Sequence, residues 1–195
     1  MRGIDQTPWI YDAMMTVAEW TGLERWRRWL VGGARGQTLE VGCGTGRNLP
    51  LYPAGARVVG VDPGWQNLVR ARRRVPNALL VRASAEALPF KDGSFDTAVS
   101  SLVFCSVPDP MKGLAEVKRV LAPRQGALRM LEHVRSNQPF TARLQDLVQP
   151  AWTWIAGGCH PNRDTERNVE RAGFQIEEEG RRARKSMRRF QARPR

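Results

Sequence analysis

Three glycines, a glutamate and an aspartate carry the strongest chemical signal in the chain. Glu40-Val41-Gly42-Cys43-Gly44-Thr45-Gly46 closes a β-like run at Thr38 to Val41. Its glycines permit a tight turn and a close approach of backbone to a ligand, and a bulky side chain at Gly42 or Gly44 is expected to fill the ligand's space. Twenty residues after Gly42, Asp62 ends the run Arg57-Val58-Val59-Gly60-Val61. A carboxylate there, with Pro63 next to it, can accept hydrogen bonds from both hydroxyls of a ribose. Loop and acid together imply a nucleoside ligand.

Spacing narrows the choice of nucleoside. Dinucleotide sites use G-x-G-x-x-G and rest pyrophosphate on a helix N-terminus, whereas this loop reads G-x-G-x-G. Glu40 would repel pyrophosphate, but it suits the cationic amino group, or its bound water, of a methionine moiety. The expected cofactor is S-adenosylmethionine, with S-adenosylhomocysteine as product. Methyl transfer from a sulfonium is an in-line displacement in which the protein supplies alignment. It needs no metal, and no metal-ligand set is expected.

The elements that must position these residues follow from the apolar pattern. Strand-length runs at Thr38 to Val41, Arg57 to Val61, Ala78 to Val81, Phe95 to Ser101 and Ala127 to Val134 alternate with helical or loop-rich segments. That pattern predicts an α/β fold with a doubly wound, largely parallel sheet of Rossmann-like type and helices on both faces, in which ligands sit beyond the carboxyl ends of the strands. A helix over Met111 to Leu121 places Met111, Leu114, Val117 and Leu121 on one side. Phe140, Leu144, Leu147, Val148 and Ala151 form another stripe, which Pro150 should kink or end. Amphipathic helices are also expected over Trp9 to Trp20 and around Leu23, Trp26 and Leu30, before Gly32, Gly33 and Gly36 break the chain. At 195 residues one domain suffices. Residues 1–36 read as an N-terminal helical lid, 37–134 as the cofactor-binding core, and 135–195 as an acceptor-side part with a basic tail.

Leu39 to Gly46, Val59 to Asp62, Ala85-Glu86-Ala87-Leu88-Pro89-Phe90, Gly93-Ser94-Phe95-Asp96 and Glu116 to Leu121 resemble, in order, the successive motifs of class I S-adenosylmethionine-dependent methyltransferases of the type 11 group. The resemblance implies an adenine cap at Ser84, Ala85 and Glu86, a carboxylate at the position Ser84 occupies, and a further cofactor residue at Ser101. Pro123-Arg124-Gln125-Gly126 departs from the Pro-Gly-Gly general among relatives. Leu102 to Val107, Glu132-His133-Val134, Pro150-Ala151-Trp152 and Gly158-Cys159 resemble the membrane-associated thiol methyltransferases of animals and their bacterial relatives.

The acceptor side is less determined. His133 is the candidate catalytic base because it falls at the carboxyl end of a strand; a capped structural histidine is the other reading, and a register shifted by one would turn Glu132 inward instead. His160 lies in a loop able to close over the pocket. Cys43, Cys105 and Cys159 lack the paired spacings of a zinc site or disulfide framework and read as small buried hydrophobes in a reducing, cytoplasmic setting. No transmembrane run appears, and the opening MRGIDQTPWIYD lacks a signal-peptide core. The net charge of +12 is concentrated: eight of 31 Lys and Arg fall in residues 181–195, leaving the body only mildly basic. Such like charge disfavours compact packing, although Met187 and Phe190 could anchor a short strand. The tail and the Trp-rich N-terminal helix therefore stand as candidate peripheral membrane contacts. A small apolar acceptor (a thiol, a lipid amine or a quinone-like ring) is the favoured reading. A nucleic-acid methyltransferase and a non-catalytic cofactor-binding module stay as alternatives, the former lacking a base-flipping signature.

Overall fold

The computed structural model describes residues 22–136, 138–155, 158–184 and 186–195; the helix expected over Trp9 to Trp20 lies outside them. In chain order come α1 (Glu24–Gly32), β1 (Gln37–Val41), a one-turn 3-10 helix (Leu49–Leu51), β2 (Arg57–Asp62), α2 (Trp65–Arg74), β3 (Leu79–Arg82) and β4 (Thr97–Ser101). They are followed by α3 (Pro110–Val120), β5 (Ala127–His133), α4 (Pro139–Ile155), α5 (Thr165–Arg171), β6 (Phe174–Arg184) and β7 (Met187–Pro194). The seven strands form one sheet in the order β3-β2-β1-β4-β5-β7-β6. The first five run parallel, and β7 pairs antiparallel with both β5 and β6.

Central strands covered on both faces read as continuous buried runs, and all five residues of β4 are buried. Side-chain alternation then splits the core in two. Leu39, Val41, Leu128 and Met130 pack with Leu114, Val117 and Val120 of α3 and with Phe174 and Phe190 on one face. Val99 and Leu131 face Leu30 and Val31 of α1 on the other. Helix α3 starts where expected, with Pro110 in its first turn and the Asp109 carboxylate capping Lys112 N at 3.0 Å, which satisfies an otherwise orphaned donor. Strand order reverses between β1 and β4, opening a crevice beyond their carboxyl ends.

The C-terminal segment departs from the expected basic tail. Its last strand is an internal strand of the sheet: Ala192 sits between Leu128 of β5 and Ile176 of β6, and Phe190 and Ala192 are fully buried. Like charges are tolerated because they find partners. Arg181 pairs with Glu166 and Glu178, and Arg193 with Glu177, while the Arg189 guanidinium lies 4.6 Å from the ring centre of Trp29 and 5.4 Å from that of Trp26. Arg129 of β5 donates to the carbonyls of Leu30 and Trp29 at 2.7 and 2.6 Å, capping the C-terminus of α1 with a cation. The tail and these tryptophans are thus bound to each other and to the sheet.

Helix α4 is not ended by Pro150, one of the two outcomes expected there. It runs on past Pro150 to Ile155, and its apolar stripe faces outward, with Phe140 81%, Leu147 78% and Trp154 68% exposed. Its inner contacts are polar: Gln145 Nε2 donates to the carbonyls of Val134 and Pro161, and Gln145 Oε1 accepts from Ser136 N.

Deleting residues 192–195 removes the pairings of Ala192, Arg193 and Pro194 and the Arg195 N to Gly173 O bond. At about 1 kcal/mol net for each hydrogen bond, the truncated protein should lose about 2–4 kcal/mol of stability. Urea denaturation checks this; a midpoint equal to that of the full chain would return the segment to a surface role.

Candidate active site

The glycine loop leaves β1 at the strand-order reversal, and each glycine adopts the left-handed region: φ is 64° at Gly42, 53° at Gly44 and 78° at Gly46. Their reasons differ. A Cβ on Gly42 would lie 2.5 Å from Val103 Cγ2, and one on Gly46 2.9 Å from Ala71 Cβ, so these two permit close packing against the loop after β4 and against α2. Packing against Val103 is thus one reason for a glycine at position 42, which also lines the cleft. At Gly44 a Cβ would meet no protein atom within 4 Å, and its open side faces a cleft lined by Arg27, Glu40, Gly42, Cys43, Thr45 and Ser101, among others.

Asp62 organises the loop from β2. Its Oδ2 accepts from Gly44 N at 3.0 Å, and its Oδ1 accepts from Gly64 N at 2.8 Å and Asn67 Nδ2 at 3.0 Å. Burial pushes its pKa up despite these donors. A carboxylate offers about four lone-pair sites, so accepting capacity is left for a hydroxyl. Pro63 is exposed beside it, and its carbonyl accepts from Arg82 Nε at 3.1 Å.

Glu40 lies at the floor of the cleft and is almost fully buried. Its Oε1 accepts from Asn48 Nδ2 at 2.8 Å, and Asn48 Oδ1 accepts from Arg27 Nη1, also at 2.8 Å. Its Oε2 has no hydrogen-bond partner; the Tyr52 hydroxyl lies close by without forming one. Desolvation pushes the Glu40 pKa up to about 7, against Asn48, Tyr52 and Arg27, with the charge of Asp62 adding to the rise. Burial also raises Cys43, far from the thiolate form. Arg27 and Asn48 were not singled out from the sequence. Arg27 falls four residues after Leu23 and three before Leu30, a charge on the buried stripe of a helix, and that was the available signal.

Ser84, Ala85 and Glu86 stand at the end of β3. Ser84 Oγ both accepts from Glu86 N and donates to Glu86 Oε2 at 3.2 Å, and Glu86 Oε1 accepts from Asp109 N at 2.9 Å. The serine thus orders its own turn, while Ala85 is buried against the core.

A second cluster gathers after β4 and β5. Leu102, with φ 60°, bends the chain sharply behind Ser101, whose hydroxyl accepts from Arg27 Nη1 at 3.3 Å. Glu132 is turned fully inward, and its Oε1 accepts from Ser100 Oγ, Val103 N and Phe104 N at 3.0 to 3.1 Å. Burial raises its pKa. His133, next along and half-buried, meets Cys105 and Cys159, with the three ligating atoms within 4.8 Å of one another. The cysteines are free and buried, as read from the sequence, and two that are widely separated along the chain converge on a histidine. Cys159 is held low by the hydrogen bond it accepts from Cys105 and by further contacts from His133 and Trp152. His160 Nδ1 is bonded to the Gly158 carbonyl and its backbone N to the Cys105 carbonyl, so it braces this loop.

This sheet order, with its glycine loop and distal acid, is the class I methyltransferase fold. Residues 39–146 match the family described as a methyltransferase domain, and the chain belongs to that family. Over 144 residues it is 38% identical to the thiol S-methyltransferase TMT1B of Rattus norvegicus, covering 70% of this chain and 59% of that protein. It is 40% identical over 91 residues to a phosphatidylethanolamine N-methyltransferase of Cereibacter sphaeroides, covering 44% and 45% of the two chains. The chain spans about three fifths of the length of the TMT1B relatives it matches. Among solved structures, a Thermotoga maritima S-adenosylmethionine-dependent methyltransferase, titled a possible histamine N-methyltransferase, superposes with a TM-score of 0.72 at 22% identity over 95% of this chain and 94% of that one. That likeness carries the fold.

Raised carboxylate pKa values set a pH dependence. Glu40 binds its proton more tightly folded than unfolded, so its contribution to stability is complete below about pH 4.5 and is lost as pH rises through about 7. At 1.36 kcal/mol per unit the loss is about 3 kcal/mol. Glu40→Gln, neutral at every pH and still able to accept from Asn48, should flatten that slope in urea denaturation between pH 5 and 8. An unchanged slope would assign it to other groups.

Proposed function

We propose that the protein transfers a methyl group from S-adenosylmethionine to a small apolar acceptor, with a thiol first among the candidates. The observation that carries the donor half is the cleft at the reversal of strand order. Its floor holds a buried carboxylate oxygen of Glu40 without a hydrogen-bond partner, and its rim holds Gly44 with open space beside it. An ammonium group suits the first, and close backbone approach the second. Glu40 would hold the amino group, Asp62 a ribose hydroxyl at the accepting capacity it has left, and Gly42, Cys43, Gly44 and Gly46 would form the loop around them. Ser101 would border the methyl side, with Pro63, Ser84, Ala85 and Glu86 toward the adenine. When bound, the cofactor supplies a methyl on a sulfonium and leaves as S-adenosylhomocysteine.

The acceptor half rests on the edge formed by β4 and β5. There His133 takes the acceptor's proton at a ring nitrogen, and the surrounding buried side chains exclude water. The thiol preference follows from the relationship to thiol S-methyltransferases. A lipid amine is the second reading, favoured by the outward apolar stripe of α4 and by the phosphatidylethanolamine N-methyltransferase relative; α4 joins the N-terminal helix and the basic tail as a candidate peripheral membrane contact. Among the described residues no helix is long and apolar enough to cross a membrane.

A transfer screen with labelled cofactor against thiols, phosphatidylethanolamine vesicles, phenols and RNA tests the reading, and labelled thiol product is the expected outcome. Asp62→Ala should weaken cofactor binding by about 1.5–3 kcal/mol in calorimetry, and equal affinity would move the site elsewhere. Cofactor affinity in the native protein should strengthen as pH rises through about 7, because Glu40 becomes charged. His133→Asn should lower turnover on a neutral thiol about 100-fold, spare cofactor affinity and remove one ionisation from the rate profile. Wild-type turnover with an unaltered profile would discard His133 as base.

A further inference from the structure

The geometry points to a site for a thiophilic divalent metal ion, of which zinc is the type, built from the sulfurs of Cys105 and Cys159 and a ring nitrogen of His133. Two sulfurs and an imidazole are the donor set such ions prefer. Among the described residues the three ligating atoms converge within 4.8 Å. Bonds of about 2.0 to 2.3 Å in a tetrahedral site require donors about 3.5–3.8 Å apart, so the set must contract by about 1 Å. Two thiolates also cancel the charge of a divalent ion, leaving a neutral group in a buried place.

Each ligand is held from a different segment by bonds that owe nothing to an ion. Cys105 rides on the turn whose Val103 and Phe104 amides donate to Glu132, and the Arg163 guanidinium ties that turn through the carbonyls of Phe104 and Val107 at 2.6 and 2.7 Å. The His160 N to Cys105 O bond at 2.8 Å holds the residue after Cys159 against Cys105, and Thr153 Oγ1 donates to the Cys159 carbonyl at 2.9 Å. His133 is registered against Met187 of β7, and the next residue, Val134, donates to Ser186 O at 2.7 Å. Both cysteines are buried, while His133 is half-buried, so of the three ligands the histidine is the one that solvent reaches. An ion there would hold His133 as a neutral ligand, and its role as base would belong to the metal-free protein.

Metal binding can be read without cofactor, acceptor or turnover, so it stands or falls separately from the transfer reaction. The reduced full-length chain, freed of metal with a chelator, is titrated with cobalt(II) and then with zinc(II). One equivalent of cobalt should bind with a thiolate-to-metal charge-transfer absorption that zinc abolishes. Cys105→Ser, Cys159→Ser and His133→Ala should each weaken zinc binding by more than the roughly 10- to 100-fold typical of losing an outer-shell contact. Absence of the charge-transfer band in the folded wild-type protein overturns the proposal, a result that needs no variant to fold. Equal zinc affinity in the folded His133→Ala protein overturns the histidine's part in it.

Discussion

Burying the carboxylate of Glu40 is the constraint around which the cleft beyond β1 is arranged. A carboxylate taken out of water loses several kcal/mol of hydration unless donors replace it, and here one oxygen is answered by Asn48, itself held by Arg27. Arg27 arrives from α1, so the helix must keep its place on the sheet. Its carbonyl end is gripped by Arg129 and its tryptophans are covered by Arg129 and Arg189. Arg129 belongs to β5 and Arg189 to β7. The polarity of the cleft beyond β1 thus depends on the last strand in the chain, far from it in sequence.

A second buried carboxylate plays the matching part at the ends of β4 and β5. Glu132 collects two backbone amides and a hydroxyl from the chain around the end of β4, which fixes where Ser101 and Cys105 come to rest. The left-handed Leu102 between them is strained for a branched side chain, and that conformation is sustained because the amides just beyond it are bound. The two clusters share the carboxyl edge of one sheet, each anchored by an inward acid, Glu40 from β1 and Glu132 from β5.

What was legible in the sequence was local. The glycine loop and Asp62 could be read because their chemistry lies in short segments at strand ends, and five strands could be placed from continuous apolar runs. Strand β6, Phe174–Arg184, escaped because it is a charged edge strand, as edge strands often are, and its acids and arginines satisfy partners on α5 and β7. Of β7, the anchors Met187 and Phe190 of a short strand could be read, but not its place inside the sheet: an arginine that stacks on a tryptophan is indistinguishable in sequence from one in water. Helix α4 was read from its apolar stripe, but which face turns inward was decided by Gln145 and the carbonyls it satisfies. The meeting of Cys105, His133 and Cys159 comes from sheet order, and no spacing encodes it. The departure at Pro123-Arg124-Gln125-Gly126, by contrast, has a visible consequence, since Arg124 takes a φ of 62° where a glycine would be unstrained.

Glu40 and Asp62 also act on each other. Each is raised chiefly by its own burial, and the charge of Asp62 adds to the rise at Glu40. A cleft with two such acids is least favourable when both are ionised and no cation is present. A ligand bearing an ammonium group removes part of that penalty as it binds, and the gain is larger at pH values where Glu40 would otherwise hold its proton weakly. Because Asp62 also fastens Gly44 N and Gly64 N, the electrostatic state of the cleft and the order of the glycine loop are linked. A change in the charge of Asp62 therefore acts on the turn at Gly44 as well as on Glu40.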